Sequence, residues 1–214
     1  MADERQNLRA ILSEARCSLS AAYIGALSTR VQQRVLSSQA YLSATKIVLY
    51  APLNGEVETA LIAADALRSH RRLYYPIVDQ KNRRIRLGAV SDLSELALGA
   101  FGILEPAAAG ALEAGELGAA LVCVPGVAFT PAAARLGRGG GYYDRLLAAL
   151  SAKTAKTVTA GLAYSFQLIN RLPEDLHDRR LDFVVTESAV YAASGAPHAA
   201  TQTSDQGGSP KWAC

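Results

Sequence analysis

With 214 residues, half of them hydrophobic and 19 % charged, the chain has a globular composition and is long enough for one large domain or two small ones. A net charge of +3 is too weak to argue for nucleic acid by itself and suits an anionic ligand. Cys17, Cys123 and Cys214 are odd in number and widely spaced, which argues against a disulfide framework or zinc site. A start without an apolar signal core, and no run near the ~20 apolar residues of a membrane span, complete the expectation of a cytoplasmic protein.

The first 45 residues read as two helices. Leu8, Ile11, Leu12 and Ala15 recur at one-face spacing, as do Ile24, Leu27, Val31 and Val35 after a serine pair, Ser18 and Ser20, that can cap the second helix. K-I-V-L-Y-A-P (46–52) reads as a buried strand stopped by Pro52, and Glu56 to Arg68 as a helix. L-Y-Y-P-I-V (73–78) and I-R-L-G-A-V (85–90) look like strands around a polar turn. Ser91 to Gly118, rich in Gly and Ala, carries no clear period. A-L-V-C-V-P (120–125) is a buried strand, Tyr142 to Ala152 a helix, and 157–163 and 182–187 two further strands. Strands alternating with helices imply an α/β fold with a mostly parallel sheet covered on both faces. The folded part is expected at about 1–193, with the small, polar segment 194–214 a disordered tail.

R-L-G-R-G-G-G-Y-Y-D-R (135–145) lies between a buried strand and a helix. In parallel α/β sheets ligands bind at the carboxyl ends of the strands, where glycines let backbone amides approach an anion and the following helix adds its positive end. Arg135 and Arg138 add charges suited to phosphate oxygens. Neither a Walker A loop nor G-x-G-x-x-G fits, since Tyr142 occupies the last glycine position of the latter. Read without their neighbours, the glycines fit a tightly turning surface loop equally well. Asp144 either complements the helix dipole or holds Mg²⁺. Tyr142 and Tyr143 point about 100° apart on a helix, so at least one can wall a flat ligand. Glu56 taken alone reads better as an acid in a first helical turn than as a ligand.

Together with V-P-G-V-A-F-T-P (124–131), this loop resembles that of the 5-formyltetrahydrofolate cyclo-ligases, or methenyltetrahydrofolate synthetases. R-Q-N-L-R (5–9), N-G-E-V-E-T (54–59), F-G-I-L-E-P (101–106) and L-H-D-R-R-L-D-F-V-V-T-E (176–187) resemble further segments of that family in the same order. The resemblance implies a three-layer α/β/α, Rossmann-like fold. It implies ATP-dependent closure of 5-formyltetrahydrofolate to 5,10-methenyltetrahydrofolate, with Mg²⁺ as cofactor and ADP and phosphate released. It carries ATP binding to Arg5, Arg9 and the loop residues Arg135, Leu136, Gly137, Arg138, Gly139, Gly140, Gly141, Tyr142 and Tyr143. Asp144 and Asp182 become metal ligands, Ala51, Glu56 and Tyr143 folate-binding residues, and Glu56, Arg138 and Tyr142 the catalytic set. The family often has Lys in place of Arg5, and some members have Lys in place of Gly140. A monomer is expected, with a dimer as the alternative.

Competing readings are weaker. His177 and Asp178 suggest a metal phosphohydrolase, but only His70 and His198 remain as further imidazole ligands. Ser165 is not in G-x-S-x-G, and Cys123 sits among Val and Leu like a small core hydrophobe. The basic stretch Arg68 to Arg86 offers a nucleic-acid-binding alternative; its plainer reading is a solvated hairpin face. A relative that keeps the nucleotide site and takes another substrate is the third.

Overall fold

A computed structural model describes residues 2–53, 55–151, 157–173 and 178–193; the expected tail, His177, His198 and Cys214 lie outside these. The chain begins with three helices, α1 (Ala2–Cys17), α2 (Ala21–Leu36) and α3 (Gln39–Ser43). Ser20 caps α2 by accepting from the Tyr23 amide, as its position suggested. Then follow β1 (Lys46–Val48), α4 (Ala60–Arg68), β2 (Arg72–Asp79) and β3 (Arg84–Val90). The unread stretch holds the two-residue strands β4 (Ala97–Leu98), β5 (Leu104–Glu105) and β6 (Leu112–Glu113), with 3-10 turns before β4, between β4 and β5, and after β6. The rest is β7 (Leu121–Val124), β8 (Ala128–Phe129), β9 (Arg135–Leu136), α5 (Tyr142–Ser151), β10 (Val158–Leu162), β11 (Phe183–Val185) and β12 (Val190–Ala192).

Eight strands form one sheet in the order β12-β11-β10-β7-β1-β2-β3-β6. The five from β11 to β2 are mutually parallel, and antiparallel strands flank them on both sides. Side chains of the central strands alternate between two cores. Ile47, Leu121 and Cys123 meet α2 and α4 on one face, through Val31, Val35, Ile62 and Ala66. Val48, Val122 and Val124 meet Leu146, Leu147 and Leu150 of α5 on the other. Residues buried on both faces explain why these strands read as unbroken apolar runs. The expected α/β fold of three layers is thus present. Helix α1 packs Leu8 and Leu12 on the small β8–β9 ribbon, against Ala134 and Leu136.

The winding positions the site. From β1 the chain crosses through α4 to β2 on one side; from β7, on the other side of β1, it crosses through α5 to β10. The order of winding therefore reverses between β1 and β7, and such a switch point opens a crevice at the carboxyl ends of the strands.

One boundary differs from expectation. The helix predicted from Glu56 starts only at Ala60. Residues 56–59 are instead claimed by side chains far away in sequence. Tyr164 donates to the Glu56 carbonyl at 3.2 Å, Tyr50 donates to the Val57 carbonyl at 2.9 Å, and Ser28 Oγ accepts from the Glu58 amide at 3.0 Å. Gln32 Oε1 then accepts the Leu61 amide at 2.8 Å, serving the exposed amides of the late helix start.

Gly161 in β10 marks tight packing within the core. A Cβ there would stand 2.6 Å from Phe129 Cε1 and 2.8 Å from Leu181 Cδ1, both of buried residues. Gly161→Ala is expected to lower stability by about 1–3 kcal/mol through overpacking, read as a lower midpoint in denaturant.

Candidate active site

The crevice at the switch point is a cavity of about 410 Å³. Tyr50 and Ala51, after β1, and Pro125 and Gly126, after β7, form its floor. The glycine loop and the start of α5 form one wall, through Gly137, Arg138, Gly140, Gly141, Tyr142 and Tyr143. Pro76, Val78, Ile85, Phe101 and Ile103 give the cavity an apolar wall. Phe101 meets Tyr142 edge to face, with ring centres 5.9 Å apart.

The loop is held from outside. Arg9 Nε donates to the Gly137 carbonyl at 2.9 Å, and Arg145 Nη2 to the Gly140 carbonyl at 2.9 Å. Gly141 has φ +67°, a left-handed conformation costly for other residues, and its carbonyl accepts the first bond of α5 from the Arg145 amide. Arg145 also lies over the Tyr142 ring at 5.3 Å.

Arg138 spans the cavity to Glu56. Its Nη2 and Nε donate to Glu56 Oε1 at 2.8 and 3.2 Å. The carboxylate is only 7 % exposed, whereas Arg138 is 45 % exposed. Glu56 Oε2 accepts the Leu53 amide at 3.1 Å, closing a tight turn. Arg16 Nη1, almost fully buried, lies 4.0 Å from Glu56 Oε1. Burial draws the Arg16 guanidinium below its ordinary pKa, with Glu56 opposing that shift.

Arg135, expected as a phosphate ligand, lines the cavity and is engaged within the protein. It is 3 % exposed in its side chain, donates to Asp144 Oδ1 at 2.6 Å and to the Pro125 carbonyl at 3.2 Å, and lies over Tyr143 at 5.7 Å. A guanidinium so engaged orients Asp144. Burial, with Glu56 adding to it, pushes the Tyr143 phenol well above its usual value, and burial does the same to Tyr50. Both are neutral donors near pH 7. Cys123 lies in the core, its thiol pushed up to about 12 by burial, in keeping with a packing residue.

The structure brings together Ala51, Glu56, Arg135, Arg138, Tyr142, Tyr143 and Asp144 around one cavity. Leu136 is buried under α1, and Gly139 approaches Arg9. Arg5 pairs with Asp178 at 3.1 Å. Asp182 does not join Asp144. It lies at the amino ends of β10 and β11, away from the cavity, and its Oδ2 accepts from the Thr159 amide and hydroxyl, both at 2.7 Å. Among the described residues no cluster of three or more His, Cys, Asp or Glu could hold a metal by itself.

Sequence reasoning missed Arg16, Tyr50 and the apolar wall. Arg5, Arg9 and Arg16 are four and seven residues apart, spacings that share one helical face, so a signal for Arg16 was present. Part of the basic stretch is paired in place. Arg84 reaches Asp79 and Glu113, Arg86 reaches Glu113, and Arg71 donates to the Tyr41 carbonyl behind α3. No helix among the described residues is long and apolar enough to cross a membrane.

Fold and site define an α/β enzyme type: a glycine loop and paired charges meet an apolar wall at the sheet's switch point. A profile of the 5-formyltetrahydrofolate cyclo-ligase family matches residues 1–187. The 5-formyltetrahydrofolate cyclo-ligase of Mus musculus is 28 % identical, over 86 % of this chain and 94 % of that one. The enzyme of the same name from Escherichia coli K12 is 30 % identical, over 76 % and 94 %. The NMR structure of Aquifex aeolicus 5,10-methenyltetrahydrofolate synthetase superposes with a TM-score of 0.77 at 32 % identity, covering 94 % of this chain and 98 % of that one. The chain belongs to the 5-formyltetrahydrofolate cyclo-ligase family, a family of ligases.

Proposed function

We propose that the chain converts 5-formyltetrahydrofolate and ATP, with Mg²⁺, to 5,10-methenyltetrahydrofolate, ADP and phosphate. The observation that carries this reading is the Arg138–Glu56 pair, which joins an anion-receptive loop to a buried carboxylate across one cavity. Phosphoryl transfer requires positioning and charge neutralisation more than covalent chemistry from the protein. Arg138 supplies a half-exposed cation at the loop, and Arg9 fixes the loop's Gly137 carbonyl.

The formyl oxygen attacks the γ-phosphorus and ADP leaves. N10 then attacks the activated carbon, loses its proton, and the former formyl oxygen departs within phosphate. Holding N10 near that carbon can contribute about 7–11 kcal/mol. Glu56 accepts hydrogen bonds from the pterin or positions N10, and the Phe101–Tyr142 pair borders the flat ring. The carboxylate Asp144, 26 % exposed at the cavity beside the loop, fits Mg²⁺ shared with phosphate oxygens, which asks for only one or two carboxylates. When bound there the ion neutralises charge on the β- and γ-phosphates. Asp182 has no part in this site.

A near-ultraviolet spectrum of the protein with 5-formyltetrahydrofolate, ATP and Mg²⁺ tests the reading, because the methenyl product has conjugation that the substrate lacks. A new band is expected that needs both ATP and Mg²⁺, and Asp144→Asn should remove it while nucleotide still binds. ATP bound without any band would reject the folate substrate and leave the nucleotide site.

A further inference from the structure

We infer that Arg16 is a positioning residue for Glu56, holding that carboxylate in place while Arg138 is drawn away to phosphate. The inference rests on the folate reading above. Glu56 faces two arginines of opposite character. Arg138 is 45 % exposed and sits on the glycine loop, so it is free to follow an arriving phosphate. Arg16 is 3 % exposed at the last turn of α1 and does not line the cavity.

The turn carrying Glu56 is built onto this arginine. Gly55 adopts φ +72°, and a Cβ there would stand 3.3 Å from Arg16 Cγ. The glycine therefore lets the backbone sit on the stem of Arg16 and brings the carboxylate to its head. From the other side, Tyr164 donates to the Glu56 carbonyl. Once Arg138 turns to phosphate, a lone carboxylate at 7 % exposure would be left without a cation, a costly arrangement that favours its movement out of place. Arg16 at 4.0 Å supplies the standing positive charge that holds the carboxylate in place and directed at the folate. Two arginines around one carboxylate also leave the empty site net positive, which suits an anionic nucleotide.

The test measures kcat/KM for 5-formyltetrahydrofolate, KM for ATP and melting temperature in wild type, Arg16→Met, Arg16→Lys, Glu56→Gln and the Arg16→Met/Glu56→Gln double variant. Arg16→Met should lower kcat/KM for folate about tenfold, the scale of coupling between neighbouring charges. KM for ATP should stay within about twofold, and Arg16→Lys should restore most of the loss. In the Glu56→Gln background Arg16→Met should cost nothing further, because its target is gone. Unimpaired folate turnover in Arg16→Met, or losses that multiply in the double variant, would overturn the inference while leaving the functional reading intact. Should Arg16→Met fail to fold, Arg16→Gln takes its place in the cycle, with the same two outcomes decisive. A wild type that turns over no 5-formyltetrahydrofolate would remove both.

Discussion

Arg138→Met should lower turnover by about 10²–10³-fold, the cost of removing one preorganised charge from a developing anion. KM for ATP should rise with it, while stability changes by less than about 1 kcal/mol, since the side chain is 45 % exposed and its pair with Glu56 is partly solvated. Arg16 remains to compensate Glu56 in that variant. Steady-state kinetics beside a urea titration read both quantities from one preparation. Full turnover in Arg138→Met would mean that phosphate charge is met elsewhere, and the loop would lose its assigned part.

Glu56→Gln should behave differently. Turnover with folate should fall by about 10²-fold or more, with KM for ATP little changed. Stability should fall too, because the amide keeps the shape and loses the charge that Arg16 faces in a dry environment. We expect about 1–3 kcal/mol, less than the ~3–5 kcal/mol for breaking a fully buried pair, since Arg138 reaches solvent. A loss of stability without a loss of folate turnover would make Glu56 a structural acid, the role its sequence context alone favoured.

The layered architecture was legible because the strands that make it are buried on both faces. I-V-L at 47–49 and L-V-C-V at 121–124 have no polar residue to interrupt them. The polar turn D-Q-K-N-R-R announced the hairpin of β2 and β3. β12 went unread because three half-buried residues carry no period. Ser91 to Gly118 went unread because its two-residue strands are defined by partners, with β6 pairing β3. The late start of α4 depends on Ser28, Gln32, Tyr50 and Tyr164, contacts that no local pattern encodes. At the site, residue types were readable and their pairings were not. Asp144 and Asp182 are alike as letters, yet one faces the cavity and the other ties Thr159 at the far ends of the strands. Arg135 and Arg138, three residues apart, divide into a buried strut and an exposed cation because one lies in β9 and the other beyond it in the loop.

The sheet ends on each side in a strand of two or three residues, β6 and β12, set antiparallel to its neighbour. A long parallel strand at either margin would offer a row of unsatisfied amides and carbonyls on which another chain could add itself. At one side β6 covers β3 at Arg86 and Leu87 and brings the charge of Glu113; at the other β12 covers β11 with three residues. The apolar parallel strands that shape the switch point thus lie inside the sheet rather than at its margin, where an exposed edge invites another chain to pair.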